Sequence, residues 1–557
     1  YWNIYGWSFP HNAPIPEDEW QANIDWLAAD FAPHGYTMAC TDGWIEPSTK
    51  TTADGYIVSY NDDWQHDWAY WIDYLRARGM TLGVYYNPLW VHAAAVADTS
   101  KTVVGTDIPL ADIVVKGDFM GSEIGGDTLY WADVTKPGAK EFVQGYVKYF
   151  KDLGVPYLRV DFLSWYETGY DANIGAVGVE HGREDYLTAL GWMNEAAGDD
   201  MELSLVMPKL IDHGAAELAN GDLIRINADA DKGGWERLSG GRQTWQENWS
   251  QWFNPFLGFT GFADRAGRGQ LILDGDFLMM NTFADDDERR TCISLMTVAG
   301  SPITISDLHS NIGEHGWAFT NPEVLELNRQ GLVGKPYFHS ATPFSEDTAS
   351  RDSERWAGQL PDGSWAVALF NRGDEAATRE LDLADALGID GPARVRDLWR
   401  HKDLGRTHRV RAELPAHGCQ LVRVTPHGRD RRYHAAFAAW GGGAGFGNDL
   451  DGHTGMGYAT LDTDGASVTF AVAADCAGRY RIALRYATET DGSLTLGAER
   501  TDRTPVGEAR RVTFRASGGG WATLHGEIDL AEGTNLVTLV RAAGDDGTVL
   551  LNHIELR

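Results

Sequence analysis

The sequence has few cysteines, no long apolar run and no recognisable metal motif. Its four cysteines, Cys40, Cys292, Cys419 and Cys476, are widely spaced and form no Cys-x-x-Cys pair. This usage argues against a zinc site and against a dense disulfide framework. No stretch approaches the roughly 18 uninterrupted apolar residues that a membrane-spanning helix needs, so no such helix is predicted.

Positive charge is also scarce. Lys and Arg number 47 against 80 Asp and Glu, which gives a formal net charge of −33. Such a surface repels nucleic acid and anionic membranes, and it suits a neutral substrate. Tryptophan, in contrast, is abundant, with 22 residues. Because the indole ring is a flat platform for sugar rings, the composition favours a protein that acts on carbohydrate.

The first 332 residues alternate between short apolar strands and amphipathic helical stretches. Helices are predicted at "DWAYWIDYLRARG" and "AKEFVQGYVKYFKDLG", where apolar residues recur with the helical period and a Gly follows. Eight strands alternating with helices predict a (β/α)8 TIM barrel with loop insertions, one of them at 91–130. The predicted strands are 2–8, 36–41, 81–86, 157–161, 202–207, 223–227, 270–273 and 302–306.

The rest of the chain reads as β-structure. Between 333 and 425, runs such as "SWAVALFNRG" alternate apolar and polar residues and predict an antiparallel β-sandwich domain. A polar, basic stretch at 426–432 is predicted as a linker. The segment 433–557 carries "SVTFAV", "YRIALRYA" and "NLVTLVRA" between turns, a spacing that predicts a β jelly-roll. The chain is therefore expected to be a multi-domain protein.

Polar residues end several of the predicted barrel strands, where (β/α)8 enzymes place their catalytic groups. Strand two ends in "TDGW", strand three in "YYN" and strand four in "RVD"; strands six and seven end in "RINADADKGGW" and "LDGDF". A single such Asp is often only a brace or a helix cap. Aspartates at four strand ends around one barrel point instead to an active site.

Asp161 and Asp229 are the pair that best fits glycoside hydrolysis, which needs two carboxyl groups flanking the anomeric carbon. Arg159 precedes Asp161 by two residues, so both should share a strand face, where the cation favours an ionised nucleophile. Asp231 is a rival for the role of Asp229. The spacing also resembles a calcium loop, but Lys232 stands where that loop requires Gly.

These residues resemble glycoside hydrolase family 27, a family of retaining α-galactosidases. The element "RVD" resembles the family's nucleophile strand, and "RINAD" its acid/base segment. The elements "YWNIYGWSF" and "LILDGDFLM" also match. The resemblance implies that Asp161 is the nucleophile and Asp229 the acid/base. It further implies sugar contacts from Asp42, Arg159, Arg225, Asp274 and Asp276.

The chain departs from galactose-specific members of the family. They carry paired carboxylates after strand two, where this sequence has Thr41, Asp42 and Gly43. The set "TDGW", "YYNPLW", "RVDF" and "INADADKGGW" is more similar to the branch acting on α-1,6-glucan, which implies exo-cleavage of dextran to isomaltose. Further candidate substrate-binding residues are Trp44, Tyr86, Trp90 and Trp235. Open alternatives are an α-galactosidase or β-L-arabinopyranosidase, or a non-catalytic glycan-binding protein on an inactive barrel.

The last segment resembles carbohydrate-binding module family 35 in "AGRYRIALRYA" and in the terminal "LLNHIELR". A structural calcium ion is left open there, because the calcium-binding Ala-Glu start is replaced by "HAAFAAW" and a terminal Asp by Asn552. The resemblance implies a secreted enzyme that acts on a polysaccharide or oligosaccharide. Catalysis is expected to need no cofactor or metal, and neither nucleic acid nor membrane insertion is expected.

Overall fold

The computed structural model describes residues 1–42, 47–120, 128–171, 175–240, 254–338, 351–428 and 431–557. They form two compact units. The first comprises Tyr1–Gly258, Leu273–Ala284 and Pro302–Thr320, and the second comprises Phe259–Ile272, Asp285–Ser301 and Asn321–Arg557. No helix among the described residues is long and apolar enough to cross a membrane.

A parallel sheet forms the centre of the first unit, in the order β1-β2-β3-β7-β10-β11-β12. Ile305 then forms parallel bridges with both Leu278 and Trp2, which brings the sheet back to β1. The predicted (β/α)8 barrel is confirmed. The strands of this region are β1 (Trp2–Asn3), β2 (Met38–Cys40), β3 (Thr81–Tyr85), β4 (Trp90–His92), β5 (Val114–Phe119), β6 (Leu129–Ala132), β7 (Tyr157–Val160), β8 (Tyr170–Asp171), β9 (Gly175–Ala176), β10 (Glu202–Leu205), β11 (Leu223–Arg225) and β12 (Ile272–Asp274).

Helices follow the strands, and local sequence fixes their ends. Helix α3 begins after Asp67, whose side chain accepts a hydrogen bond from the Tyr70 N–H. Helix α5 ends at Gly154, which has a left-handed φ of 91°. The helices are α1 (Tyr5–His11), α2 (Glu17–Asp30), α3 (Trp68–Arg76), α4 (Ala93–Ala97), α5 (Ala139–Leu153), α6 (Leu163–Thr168), α7 (Gly182–Ala197), α8 (Ile211–Asn220), α9 (Gly234–Ser239), α10 (Pro255–Phe262), α11 (Asp286–Ala299), α12 (Pro322–Arg329) and α13 (Leu383–Leu387).

The first predicted strand is too long. It ends at Asn3, and helix α1 starts at Tyr5. Within α1, a Cβ on Gly6 would lie 1.8 Å from the main-chain oxygen of Ser306. Gly6 therefore lets the helix cross the last barrel segment closely, a constraint that strand propensity does not reveal.

The predicted insertion at 91–130 is largely a three-stranded antiparallel sheet, in the order β4-β6-β5. Its strand β6 ends at Ala132, just before helix α5. Trp131 of β6 lies with its ring centroid 5.4 Å from that of Tyr166 in α6. The insertion is thereby packed against a helix of the barrel.

The second unit is mainly antiparallel sheet. One six-stranded sheet has the order β13-β14-β15-β20-β17-β18, and β16 pairs with β19. Helix α11 contacts this β-region, since Thr291 donates a hydrogen bond to the carbonyl of His417. The strands are β13 (Lys335–Phe338), β14 (Arg351–Gln359), β15 (Trp365–Phe370), β16 (Ala377–Asp382), β17 (Ala393–Asp397), β18 (Lys402–Thr407), β19 (Arg409–Leu414) and β20 (Cys419–Thr425).

Two further sheets form the C-terminal sandwich, in the orders β23-β24-β31-β26-β29 and β22-β25-β30-β27-β28, with β21 beside β31. Arg431 and Arg432, predicted as linker, are already part of β21, and residues 429 and 430 lie outside the described residues. The strands are β21 (Arg431–His434), β22 (Ala439–Gly441), β23 (Gly445–Gly447), β24 (Tyr458–Leu461), β25 (Ser467–Ala474), β26 (Gly478–Ala487), β27 (Gly492–Arg500), β28 (Arg510–Phe514), β29 (Ala522–Leu530), β30 (Gly533–Val540) and β31 (Val549–Leu556).

Asn552 in β31 is engaged at both ends of its side-chain amide. Its Oδ1 accepts hydrogen bonds from the N–H and hydroxyl of Thr454. Its Nδ2 donates to the carbonyl oxygens of Thr454 and Gly457. The side chain therefore fixes the segment 454–457 against β31.

Candidate active site

The polar residues predicted from the strand ends lie at the carboxyl-terminal ends of the barrel strands. Asp161 directly follows β7, Arg225 ends β11 and Asp274 ends β12, while Asp42 lies two residues beyond β2. Parallel strands end on one side of a barrel, which is where this fold builds its active sites. Ion pairs between the side chains join them into one charged cluster.

Asp161 is held by three hydrogen bonds. Tyr85 Oη donates to its Oδ2 at 2.7 Å, and the Phe162 N–H donates to its Oδ1 at 2.6 Å. Asn87 Nδ2 donates to its main-chain oxygen at 2.7 Å. Phe162 has a left-handed φ of 60°, a conformation that is costly for a non-glycine residue and often marks a functional turn. The carboxylate is thus fixed on both oxygens.

The protonation of Asp161 reflects this environment. Burial raises its pKa to about 6, while the hydrogen bonds from Tyr85 and the Phe162 N–H act in the opposite direction. The charge of Asp229 also raises this pKa, and Arg159 lowers it only as the smallest of these influences. The charge of Arg159 thus favours the ionised form of Asp161, as predicted. Two hydrogen-bond donors do more, because the guanidinium is engaged by other carboxylates.

Arg159 is a counter-ion shared by three aspartates. Its Nε lies 3.0 Å from Asp42 Oδ2, its Nη1 lies 2.6 Å from Asp274 Oδ2, and its Nη2 lies 3.8 Å from Asp276 Oδ1. None of these four side chains is more than 1% exposed. A planar guanidinium with five N–H donors suits such a position. In this conformation Arg159 and Asp42 brace the site and present no surface to a sugar.

Arg225 connects this buried cluster to Asp229. Its Nη2 lies 2.9 Å from Asp229 Oδ1 and 2.6 Å from Asp276 Oδ2. Asp276 Oδ2 also accepts a hydrogen bond of 2.6 Å from the Ala230 N–H. The side chain of Asp229 is 49% exposed, whereas that of Arg225 is 1% exposed. Asp229 is therefore a partly exposed carboxylate held in place by a buried arginine.

Asp274 and Asp276 differ in protonation although both are buried. Burial disfavours the ionised form of Asp274, but Arg159 and Arg225 together lower its pKa below the usual value. For Asp276, burial prevails over Arg225, the charge of Asp229 adds to it, and the pKa rises to about 7. The surroundings of Asp276 thus favour its neutral form, whereas those of Asp274 favour the ionised form.

Asp231, the rival of Asp229, is occupied elsewhere. It accepts a hydrogen bond of 2.7 Å from Arg237 Nη2, and its backbone is left-handed with φ of 47°. The charge of Asp229, in contrast, acts on Asp161 and raises its pKa. The geometry favours Asp229 as the partner of Asp161. The calcium-loop alternative loses support, since arginines pair with both carboxylates.

The four aromatic residues that were predicted to contact a sugar do not share one environment. Tyr86 is 2% exposed and packs its ring against Tyr146 of α5 at 5.0 Å, on the outer side of the strand. Trp90 is fully buried, 6.0 Å from the Phe162 ring. Both are core residues in this structure, so their predicted sugar contact is not supported. Trp235 is partly exposed and remains a candidate platform, and Trp44 lies outside the described residues.

Two tyrosines near the aspartates were not predicted from the sequence. Tyr85 binds Asp161 directly. Tyr5 is 8% exposed, stacks on Phe277 at 4.5 Å, and its pKa is raised first by burial and then by the charge of Asp42, with smaller effects from both Asp161 and Asp229. Strand periodicity could have found Tyr85, since it shares a face with Asn87. No local pattern singled out Tyr5, because its segment was read as a strand.

Comparison with known proteins places this site in a family. The whole chain aligns with isomalto-dextranase of Arthrobacter globiformis at 59% identity over 575 residues, covering 100% of this chain and 90% of the relative. The chain belongs to glycoside hydrolase family 27. A solved structure of isomalto-dextranase from A. globiformis T6, complexed with panose, matches with a TM-score of 0.97 at 59% identity. It covers 100% of this chain and 96% of the solved one.

Other members of family 27 match more distantly. The solved β-L-arabinopyranosidase of family 27 from Geobacillus stearothermophilus has a TM-score of 0.58 at 20% identity, covering 77% of this chain and 96% of its own; this shows the fold alone. An α-galactosidase from Cyamopsis tetragonoloba is 28% identical over 146 residues, or 25% of this chain and 33% of the relative. Residues 350–424 match the α-galactosidase C-terminal β-sandwich domain. This family 27 chain is thus a glycoside hydrolase by relationship, and it carries a β-sandwich domain of the α-galactosidase C-terminal type.

Proposed function

We propose that the protein is a retaining, exo-acting isomalto-dextranase that cleaves α-1,6-glucan from the non-reducing end and releases isomaltose. The observation that carries the substrate is the match over the whole chain to an isomalto-dextranase. The observation that supports the chemistry is the pairing of a buried, doubly hydrogen-bonded carboxylate, Asp161, with a half-exposed one, Asp229.

In the proposed first step, a carboxylate oxygen of Asp161 attacks the anomeric carbon while Asp229 donates its proton to the departing glycosidic oxygen. This forms a glycosyl ester on Asp161. In the second step, Asp229 takes a proton from water, the water oxygen attacks the anomeric carbon, and the ester bond breaks. Two inversions give net retention of configuration.

The remaining cluster would keep both carboxylates in place. Arg225 holds Asp229 from below, and Arg159 neutralises the aspartates beneath the pocket. Asp42, Asp274 and Asp276 are proposed to belong to this support. Trp44 and Trp235 are retained as proposed stacking platforms.

The proposal includes a secreted enzyme, because its polymeric substrate is too large to enter a cell. The reaction needs no cofactor, since two carboxyl groups supply the whole acid/base and nucleophilic chemistry. The C-terminal sandwich is proposed to bind glycan. Its Trp521 is partly exposed and donates a hydrogen bond of 3.0 Å to the carbonyl of Asp451.

The test is product analysis after incubation with dextran, with an aryl α-galactoside and an aryl β-L-arabinopyranoside in parallel. The expected result is isomaltose as the main early product, released first as the α-anomer when followed by NMR. Cleavage of only one of the aryl glycosides would assign the pocket to the galactose-type branch. Release of the β-anomer would overturn the retaining mechanism.

A further inference from the structure

Three potential metal ligands meet where the inserted sheet joins helix α7. Asp133 follows β6 directly, His181 precedes α7, and Asp185 lies in its first turn. One ligand atom from each lies within 4.8 Å of the other two. Asp133 lies 48 positions before His181, so the fold itself brings the two sides of the cluster together. None of the three belongs to the candidate active site.

His181 is oriented as metal-binding histidines commonly are. Its side chain is 5% exposed, and its Nε2 lies 2.9 Å from Oδ2 of the fully buried Asp118. Asp118 is itself fixed, because its Oδ1 accepts a hydrogen bond of 2.8 Å from the Val179 N–H. A carboxylate on one ring nitrogen sets the tautomer and makes the other nitrogen, Nδ1, the better ligand.

A buried tyrosine packs against the same histidine. Tyr166 is fully buried, and its ring stacks on the His181 imidazole at 4.1 Å. Its hydroxyl lies close to the Val134 N–H and near Asp185 and Asp133. Tyr166 therefore links the residue after Asp133 to His181 on the other side of the cluster.

We propose that Asp133, His181 and Asp185 bind a zinc ion. One ligand atom from each of two carboxylates and one imidazole lies within 4.8 Å of the other two, a grouping that a single ion can bridge. The mixed imidazole and carboxylate set suits zinc, whereas calcium prefers oxygen ligands alone. At zinc–ligand distances of about 2.0–2.2 Å the three groups would close by roughly 1 Å. Tyr166 or water would complete the shell.

The ion would tie the inserted sheet to the barrel helix. Asp133 extends β6, whose Trp131 packs on Tyr166, and Trp131 in turn lies 6.3 Å from Trp90. Trp90 contacts Phe162, the residue after Asp161. The site is therefore structural, and it supports the packing behind the candidate nucleophile. It does not depend on the proposed substrate.

The test uses the full chain after treatment with a chelator. Isothermal titration is expected to show that one zinc ion binds per chain, and thermal unfolding is expected to show that zinc raises the Tm. Calcium is expected neither to bind nor to raise the Tm. Asp185→Asn and His181→Gln are each expected to weaken zinc binding at least tenfold. Glu184→Gln, which removes a neighbouring exposed acid from the same helix turn, should bind as the wild type does.

Two results would overturn the proposal. One is a chelator-treated chain that binds no zinc by titration. The other is a zinc affinity that the Asp185 and His181 variants leave unchanged, which would place any bound ion elsewhere. Far-ultraviolet circular dichroism of each variant excludes loss of fold as the cause. A Tm that rises with calcium and not with zinc would also contradict the assignment.

Discussion

Asp161 and Asp229 are both aspartates beyond barrel strands, yet their surroundings differ in almost every respect. Asp161 is 5% exposed and both of its oxygens accept protein hydrogen bonds. The side chain of Asp229 is 49% exposed and is held by Arg225. A nucleophile must present one oxygen in a fixed direction, whereas an acid/base must trade protons with water. The contrast in burial matches that division of labour.

The largest effect on activity is expected from a substitution of Asp229, the more exposed of the two carboxylates. Asp229→Asn is expected to lower kcat on dextran by about 10² to 10⁴-fold, because general acid–base assistance is lost. On an aryl glycoside with a dinitrophenolate leaving group the first step should be nearly unaffected, since that group needs no proton. The values of kcat/KM on both substrates, which report the first step, measure the difference.

Asp231→Asn is the matched control for that change. It removes the same charge two residues away, from a carboxylate that is paired with Arg237. A loss of only a fewfold on dextran is expected. Equal losses for the two variants would mean that the acid/base has not been distinguished from its neighbour.

The next largest effect is expected on stability, from the loss of the buried ion pairs that Arg159 makes beneath the site. Arg159→Met leaves Asp42 and Asp274 buried without their cation, and it should lower the free energy of unfolding by about 3–5 kcal/mol. Arg237→Met removes a partly exposed pair and should cost about 0–1 kcal/mol. Urea unfolding followed by tryptophan fluorescence compares them. If both variants lower the free energy of unfolding by the same small amount, the buried ion pairs of Arg159 do not stabilise the protein as described above.

A smaller effect sharpens the account of Asp161. Tyr85→Phe removes a hydrogen bond to the ionised carboxylate, so the pKa of Asp161 should rise further above about 6. Because the nucleophile is active only when ionised, the acidic limb of the kcat/KM profile should move to higher pH. The expected shift is about one pH unit, which is the worth of one hydrogen bond to a charged group.

Tyr86→Phe is the control here, since it removes a hydroxyl from the adjacent tyrosine that packs into the core. Its acidic limb should stay where the wild-type limb lies. If the two variants shift alike, the change comes from repacking of the strand and not from the bond to Asp161.

Strand order and the aspartates at the strand ends were predictable, because parallel strands and carboxylates leave strong local patterns. The pairing of the charged side chains with one another was not predictable. Arg159 could be placed on the face of Asp161 by periodicity, but three aspartates from two other strand ends engage it. Likewise, the choice between Tyr85 and Tyr86 depends on which side of β3 faces the barrel interior, a question that a short apolar run leaves open.

The roles of the aromatic residues were also not predictable from local sequence. Trp90 is fully buried, although its place after a strand suggested a sugar platform. A tryptophan at a strand end can serve a core or a pocket, and only the surrounding packing decides between them. Tyr5 was missed because Gly6 allows a helix to begin where apolar alternation indicated a strand.

The central claim is that Asp161 forms the covalent intermediate, and trapping tests it most directly. The enzyme would be incubated with a 5-fluoro-α-glycosyl fluoride, whose ring fluorine slows turnover while its leaving group lets the first step proceed. Peptide mass spectrometry then locates the sugar. The account predicts one sugar per chain, attached to Asp161. A label on Asp229, or on any other carboxylate, would contradict it.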